Sequence, residues 1–208
     1  MILVKVRASV RSLLTSDLRR DTVSLWAAYV TCMLAVYLGF NWIPSMLTGA
    51  GLSPAVGSAG ITAFNLGGVA GSVGGALSFA RFGSRLTMVA MAAGAAAGAF
   101  VLSTIQIHPA SAVPPIVALL GVTGGLINAV QVTMFALAAQ MYPWQVRSTG
   151  VGTASAIGRT GAIMSSYVGA WVLELGGSRF FFLGITASML IAGTALAGIS
   201  RHIRPHTR

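Results

Sequence analysis

Acidic residues are nearly missing: the 208 positions hold three, Asp17, Asp21 and Glu174, all outside the expected hydrocarbon core. Histidine is as sparse, with His108, His202 and His206 in loops or tail. A proton-coupled carrier commonly keeps a carboxylate or histidine at membrane depth, and neither is expected there in this chain. The long apolar runs hold no phosphate-binding loop, metal-ligand cluster or serine–histidine arrangement. Catalytic residues, metal ligands and cofactors are therefore not expected, and the chain does not read as an enzyme. The single cysteine, Cys32, lies inside an apolar run and cannot form an internal disulfide. Charged residues make up 8% of the chain, against about 25% in soluble domains. So few charges cannot cover a surface that faces water.

Hydrophobicity takes their place, at 55% of residues and a mean hydropathy of +0.83. The net charge of +10 does not point to nucleic acid, because the basic residues sit almost entirely in gaps between apolar runs rather than on one soluble face. The partner this composition implies is a lipid bilayer. A spanning helix needs about 20 mainly apolar residues. Six stretches qualify: 22–46, 56–80, 86–105, 113–137, 150–175 and 178–199. The expected fold is all-α, an integral membrane bundle of six transmembrane helices over 22–199, with a basic segment over 1–21 and a basic tail over 200–208. Pro54 and the pair Pro114 and Pro115 suit first helical turns. Residues 81–85 form a polar turn, and 174–178 a glycine-rich hairpin joint. The first stretch is too long for a cleavable signal peptide.

Basic residues then orient the bundle. Lys5, Arg7, Arg11, Arg19 and Arg20 precede the first run, Arg81 and Arg85 follow the second, Arg147 follows the fourth, and Arg201, Arg204 and Arg208 end the chain. The loops 47–55 and 106–112 carry none, and the last hairpin has Arg179 beside Glu174. The positive-inside rule places both termini in the cytoplasm, as in a bacterial inner-membrane protein. Trp26, Tyr142 and Trp144 fall at expected inner boundaries and Trp42 and Trp171 near outer ones, where aromatic rings favour the interface.

Within the spans, Gly67, Gly71 and Gly75 repeat every four positions, as do Gly94 and Gly98. Such faces let helix backbones approach closely, either as fixed packing or as surfaces on which helices rock. Asn128 and Gln131 stand three apart on one helix face, with Gly121, Gly124 and Phe135 on the same stripe. They suit a polar cavity wall or interhelical hydrogen bonds; Asn65 suits the latter. Arg159 lies nine positions into its span. It either snorkels or pairs structurally, or lines a water-filled cavity and attracts an anion.

Longer motifs carry a resemblance. GGLINAVQ over 124–131, ALAAQMYPWQVRSTGVG over 136–152 and AIGRTGA over 156–162 resemble the tenth and eleventh helices of major facilitator superfamily transporters, specifically the aromatic acid:proton symporters. NWIP over 41–44 resembles the end of that family's seventh helix and FNLGG over 64–68 its eighth. The chain thus resembles a C-terminal half, the family having twelve spans. Ala80 departs from the pattern, standing where the family's turn usually has an acid. The resemblance implies alternating access, with the proton gradient as coupling source and a small organic anion as substrate between two bundles. Asn128, Gln131, Arg159, Asn65 and Asn41 are the cavity residues it suggests, and Arg81, Gly83, Arg85 and Arg147 the cytoplasmic joint. The first half, where it places the main proton-coupling acids, is missing, so a truncated half inactive alone is expected. Its partner would be a complementary half or a second copy. The rival expectation is a non-transporting six-span subunit of another membrane assembly.

Overall fold

The computed structural model describes residues 10–203, and every regular element among them is helical. A short 3-10 turn, Val10–Leu14, precedes α1 (Ser16–Gly49), α2 (Pro54–Phe82), α3 (Ser84–Thr104), α4 (Val113–Met141) and α5 (Arg147–Ala197). Helix α1 starts a turn and a half before the expected apolar run, with Asp17 in its first turn, where a carboxylate favours the helix dipole. Pro54 and the Pro114 pair do open α2 and α4. Lys5, Arg7, Arg204, His206 and Arg208 lie outside the described residues.

Five helices are long and apolar enough to cross a membrane, which corrects the expectation of six. The difference lies at the end of the chain, where the runs 150–175 and 178–199 belong to one element of 51 residues. Drawn straight at about 1.5 Å per residue it would reach about 76 Å, more than twice a hydrocarbon core of roughly 30 Å. It is not straight. Gly176 (φ −172°, ψ 30°) and Gly177 (φ 59°, ψ −142°) leave helical geometry, and the positive φ of Gly177 is cheap only for glycine.

Contacts along α5 show where its two limbs go. The first runs beside α1 in the same direction: Gly158 packs on Tyr29, Gly161 on Val30 and Gly169 on Trp42. The second returns along α3, Thr186 Oγ1 lying 3.5 Å from the Ala96 carbonyl and Gly193 packing on Ala92. Just beyond it, Ser200 N donates to Asp21 Oδ1 at 2.8 Å. Element α5 therefore begins and finishes at the α1 N-terminal end of the bundle, with its glycine joint at the other.

Elsewhere α1 packs mainly on α5, α2 on α4, and α3 between α4 and α5. The α2–α4 seam is the closest. Gly67 faces the Gly121 backbone and Gly71 the Gly125 backbone, with no room for a Cβ on Gly67, Gly71 or Gly125. Lipid tails are as apolar as leucine, so such packing, not hydrophobic burial, holds membrane helices together.

Candidate functional site

Beside α1 the bundle exposes aromatic side chains, Tyr37, Phe40 and Phe135. At the depth of Met33, Gln131 Nε2 of α4 lies 3.2 Å from the Met33 Sδ, while Gly158 of α5 packs on Met33 and Tyr29. Arg159 follows Gly158 and is exposed, about 18 Å of helix beyond Arg147 at roughly 1.5 Å per residue. Aromatic rings complete the surface. Phe135 meets Tyr29 edge-on at 5.4 Å, Tyr37 meets Phe40 at 6.2 Å, and Phe40 meets Phe64 at 5.6 Å. Asn65, next to Phe64, is exposed as well. A thioether accepts hydrogen bonds weakly, so the Gln131 amide can be re-aimed at little cost. An arginine at a helix centre costs roughly 2.5–3.5 kcal/mol in hydrocarbon. A face that presents one is suited to water or to another protein, not to acyl chains.

Not all the expected residues gather there. Asn128 Nδ2 donates to the Gly124 carbonyl at 2.8 Å and lies against Gly68, so it serves the α2–α4 seam. Gly121 and Gly124 turn to α2 with it, whereas Gln131 and Phe135 turn to α1. The stripe read as one wall thus divides between two neighbours. Asn41 Nδ2 donates to Ser165 Oγ at 3.2 Å, and Trp42 Nε1 to the Ser165 carbonyl at 3.1 Å. Ser165 is fully buried and its hydroxyl donates on to the Ala162 carbonyl at 2.6 Å. This serine ties α1 to α5 and was missed by sequence reading. The available signal was its place among Gly158, Gly161 and Gly169, buried at helical spacing on one face.

Arg81, Gly83, Arg85 and Arg147 are brought to one end of the bundle. Gly83 is buried with φ 80° and closes α2, its N–H donating to the Phe79 carbonyl at 3.1 Å. The Arg81 guanidinium lies over the Phe82 ring at 5.4 Å. Arg85 and Arg147 are exposed. What fastens this end was not foreseen. Asp21, 3% exposed, accepts from Ser200 N at 2.8 Å and Arg201 N at 3.2 Å. Ser84 N donates to the Ile203 carbonyl at 3.1 Å, and Ile203 N to Ser84 Oγ at 2.8 Å. Tyr142, expected at the interface, is buried and bonds Thr22 at 3.2 Å.

His202 is the titratable part of this clamp. Its Nε2 lies 3.0 Å from the Leu196 carbonyl, which can only accept, so Nε2 carries the proton. Nδ1, 2.9 Å from Ser84 Oγ, then accepts in the neutral ring. Burial, with Arg85 nearby, holds its pKa below the ordinary 6.5 despite the Leu196 bond and Asp21. The fold opposes the proton, so the clamp is at full strength above about 6.5 and weakens as pH falls below it. The unfolding temperature of the purified protein should drop between pH 7 and 5, and His202→Gln should flatten that profile.

No protein-family model matches the chain. It is similar to the 3-(3-hydroxy-phenyl)propionate transporter of Escherichia coli strain K12, 30% identical over 191 residues, 89% of this chain and 45% of that protein. It is 32% identical over 188 residues to the 4-hydroxybenzoate transporter PcaK of Acinetobacter baylyi, 89% of this chain and 39% of that protein. The gallate transporter of Pseudomonas putida matches at 32% over 171 residues, 82% of this chain and 37% of that protein. The chain spans less than half the length of these curated relatives, and their names describe transporters, not enzymes. Over most of its length, then, the chain is a homologue of part of these aromatic acid transporters.

Proposed function

We propose that the chain forms one wall of a cavity through which an aromatic carboxylate crosses a bacterial inner membrane by alternating access. In this reading α5 crosses twice, giving six crossings, and the clamp end with its arginines faces the cytoplasm, as the positive-inside rule favours. A second bundle, on the same polypeptide or another, covers the face beside α1. Arg159 attracts the substrate carboxylate, Gln131 offers its amide to ring hydroxyls, and Phe135, Tyr37 and Phe40 receive the ring. The observation that carries this reading is the exposed Arg159, next in sequence to the Gly158 that packs on Met33, the same residue that Gln131 meets from α4. Coupling to a proton gradient falls to the second bundle, since the described part of that face holds no carboxylate or histidine. Two copies of this chain would not supply one, which favours a complementary half.

Uptake of labelled 4-hydroxybenzoate tests this, in cells lacking their own carriers. The chain alone should take up little, and the chain produced with the first half of a relative should transport. Arg159→Gln should lower that transport at least about tenfold, equivalent to about 1.4 kcal/mol, with Arg179→Gln near the parent. Proton-dependent uptake by the lone chain, or an Arg159→Gln pair as active as the parent, would contradict the reading.

A further inference from the structure

A cavity of about 620 Å³ opens at the clamp end, between the α2–α3 turn, the second limb of α5 and the residues that follow it. Its two halves differ in chemistry. Leu86, Val89 and Ala197 line the side that continues along the helices, and Leu86 is 68% exposed. Arg85 and His202 line the side toward the bundle end, with Arg81 stacked on the neighbouring Phe82. No carboxylate lines it. The acid on this side, Asp21, already accepts the Ser200 and Arg201 N–H groups. Both nitrogens of His202 are engaged within the protein, so Arg85 supplies the cation that a ligand would meet.

A cation beside an exposed leucine and about one helical turn from a half-buried valine, in a gap between helices, matches a molecule with a negative head and an apolar tail. We propose that this cavity binds an anionic phospholipid, its phosphate on Arg85 and an acyl chain along Leu86 and Val89. The proposal rests on the membrane placement given above, with this end in the cytoplasmic leaflet. Basic pockets between membrane helices on that side recognise anionic head groups, and charge-assisted bonds from a guanidinium to phosphate are among the stronger ones available. The occupant is a lipid and not a free phosphate, because nearly half of the lining is aliphatic and a free phosphate has no apolar part to meet it. Such a lipid would join the α2–α3 turn to the chain beyond α5, the same two segments that Ser84 and His202 connect.

Titration of the purified full chain in detergent with phosphatidylglycerol and phosphatidylcholine, read by native mass spectrometry, tests the proposal. Phosphatidylglycerol should bind at least fivefold more tightly. Arg85→Gln should bring that ratio close to one, Arg85→Lys should keep most of it, and Arg179→Gln, at the opposite end, should leave it unchanged. Glycerol 3-phosphate should not compete. Equal binding of the two lipids, a ratio that Arg85→Gln leaves intact, or full competition by glycerol 3-phosphate would overturn it. Transport plays no part in this readout. Lost lipid preference beside working uptake would remove only the lipid site, and lost uptake beside intact preference only the transport reading.

Discussion

Gly71→Val should cost the folded bundle about 3 kcal/mol or more, the upper range of overpacking penalties. Gly71 and Gly67 bring the α2 backbone against Gly125 and Gly121 of α4. What a new Cβ would strike there is main chain. A flexible side chain could swing aside, but a helix backbone must move as a unit and take its other contacts with it. The loss is not offset by hydrophobicity, since lipid receives an exposed valine as readily as the seam does. Gly74 supplies the control: it lies on the same helix with nothing within 4 Å of its Cβ position. Gly74→Val should stay within about 0.5 kcal/mol of the parent, as surface changes usually do. Titration to unfolding in mixed micelles distinguishes the two. Equal stability of both variants would mean that α2 and α4 do not meet along this seam.

Asp21→Ala should release the chain beyond α5 from the bundle. The carboxylate is almost fully buried and holds two backbone N–H groups. Hydrogen bonds to charged groups contribute about 1.5–3 kcal/mol each, and donors left unpaired add to the loss. A cost on the order of 3 kcal/mol follows, concentrated at Ser200–Arg201 and not spread over the helices. Trypsin cleavage after Arg201 should accelerate by two orders of magnitude or more, with Asp21→Asn between the two because one amide oxygen can still accept. Cleavage of Asp21→Ala at the parental rate would show that the clamp does not depend on this acid.

Much of the bundle could be read from the sequence because its signals are local. Apolar runs, first-turn prolines and the Gly176–Gly177 joint each depend on a few adjacent residues, and the positions of α2 and α4 came out within a few residues of expectation. Counting elements was harder. A glycine joint that reverses direction without an intervening loop leaves one element where two spans were read. The polar contacts were less legible for a different reason. Asn41 and Ser165 are 124 positions apart, and Asp21 and Ser200 are 179 apart. Hydropathy tells which residues avoid water, not which helix a side chain will face. Tyr142 and Trp42 illustrate this: rings that suit an interface by position became partners of Thr22 and Ser165. Asn128 and Gln131 share a helix face yet meet different helices, because α2 and α1 divide that face between them.

Thiol labelling in intact membranes tests the face beside α1 most directly. In a Cys32→Ser background produced with a complementary half, Gln131→Cys and Arg159→Cys should react with a charged, water-borne maleimide. Val73→Cys and Leu77→Cys, on the exposed apolar side of α2, should stay unlabelled and be quenched by spin-labelled acyl chains. The reverse pattern, with positions 131 and 159 quenched by lipid and closed to the reagent, would contradict the assignment of that face to a substrate cavity.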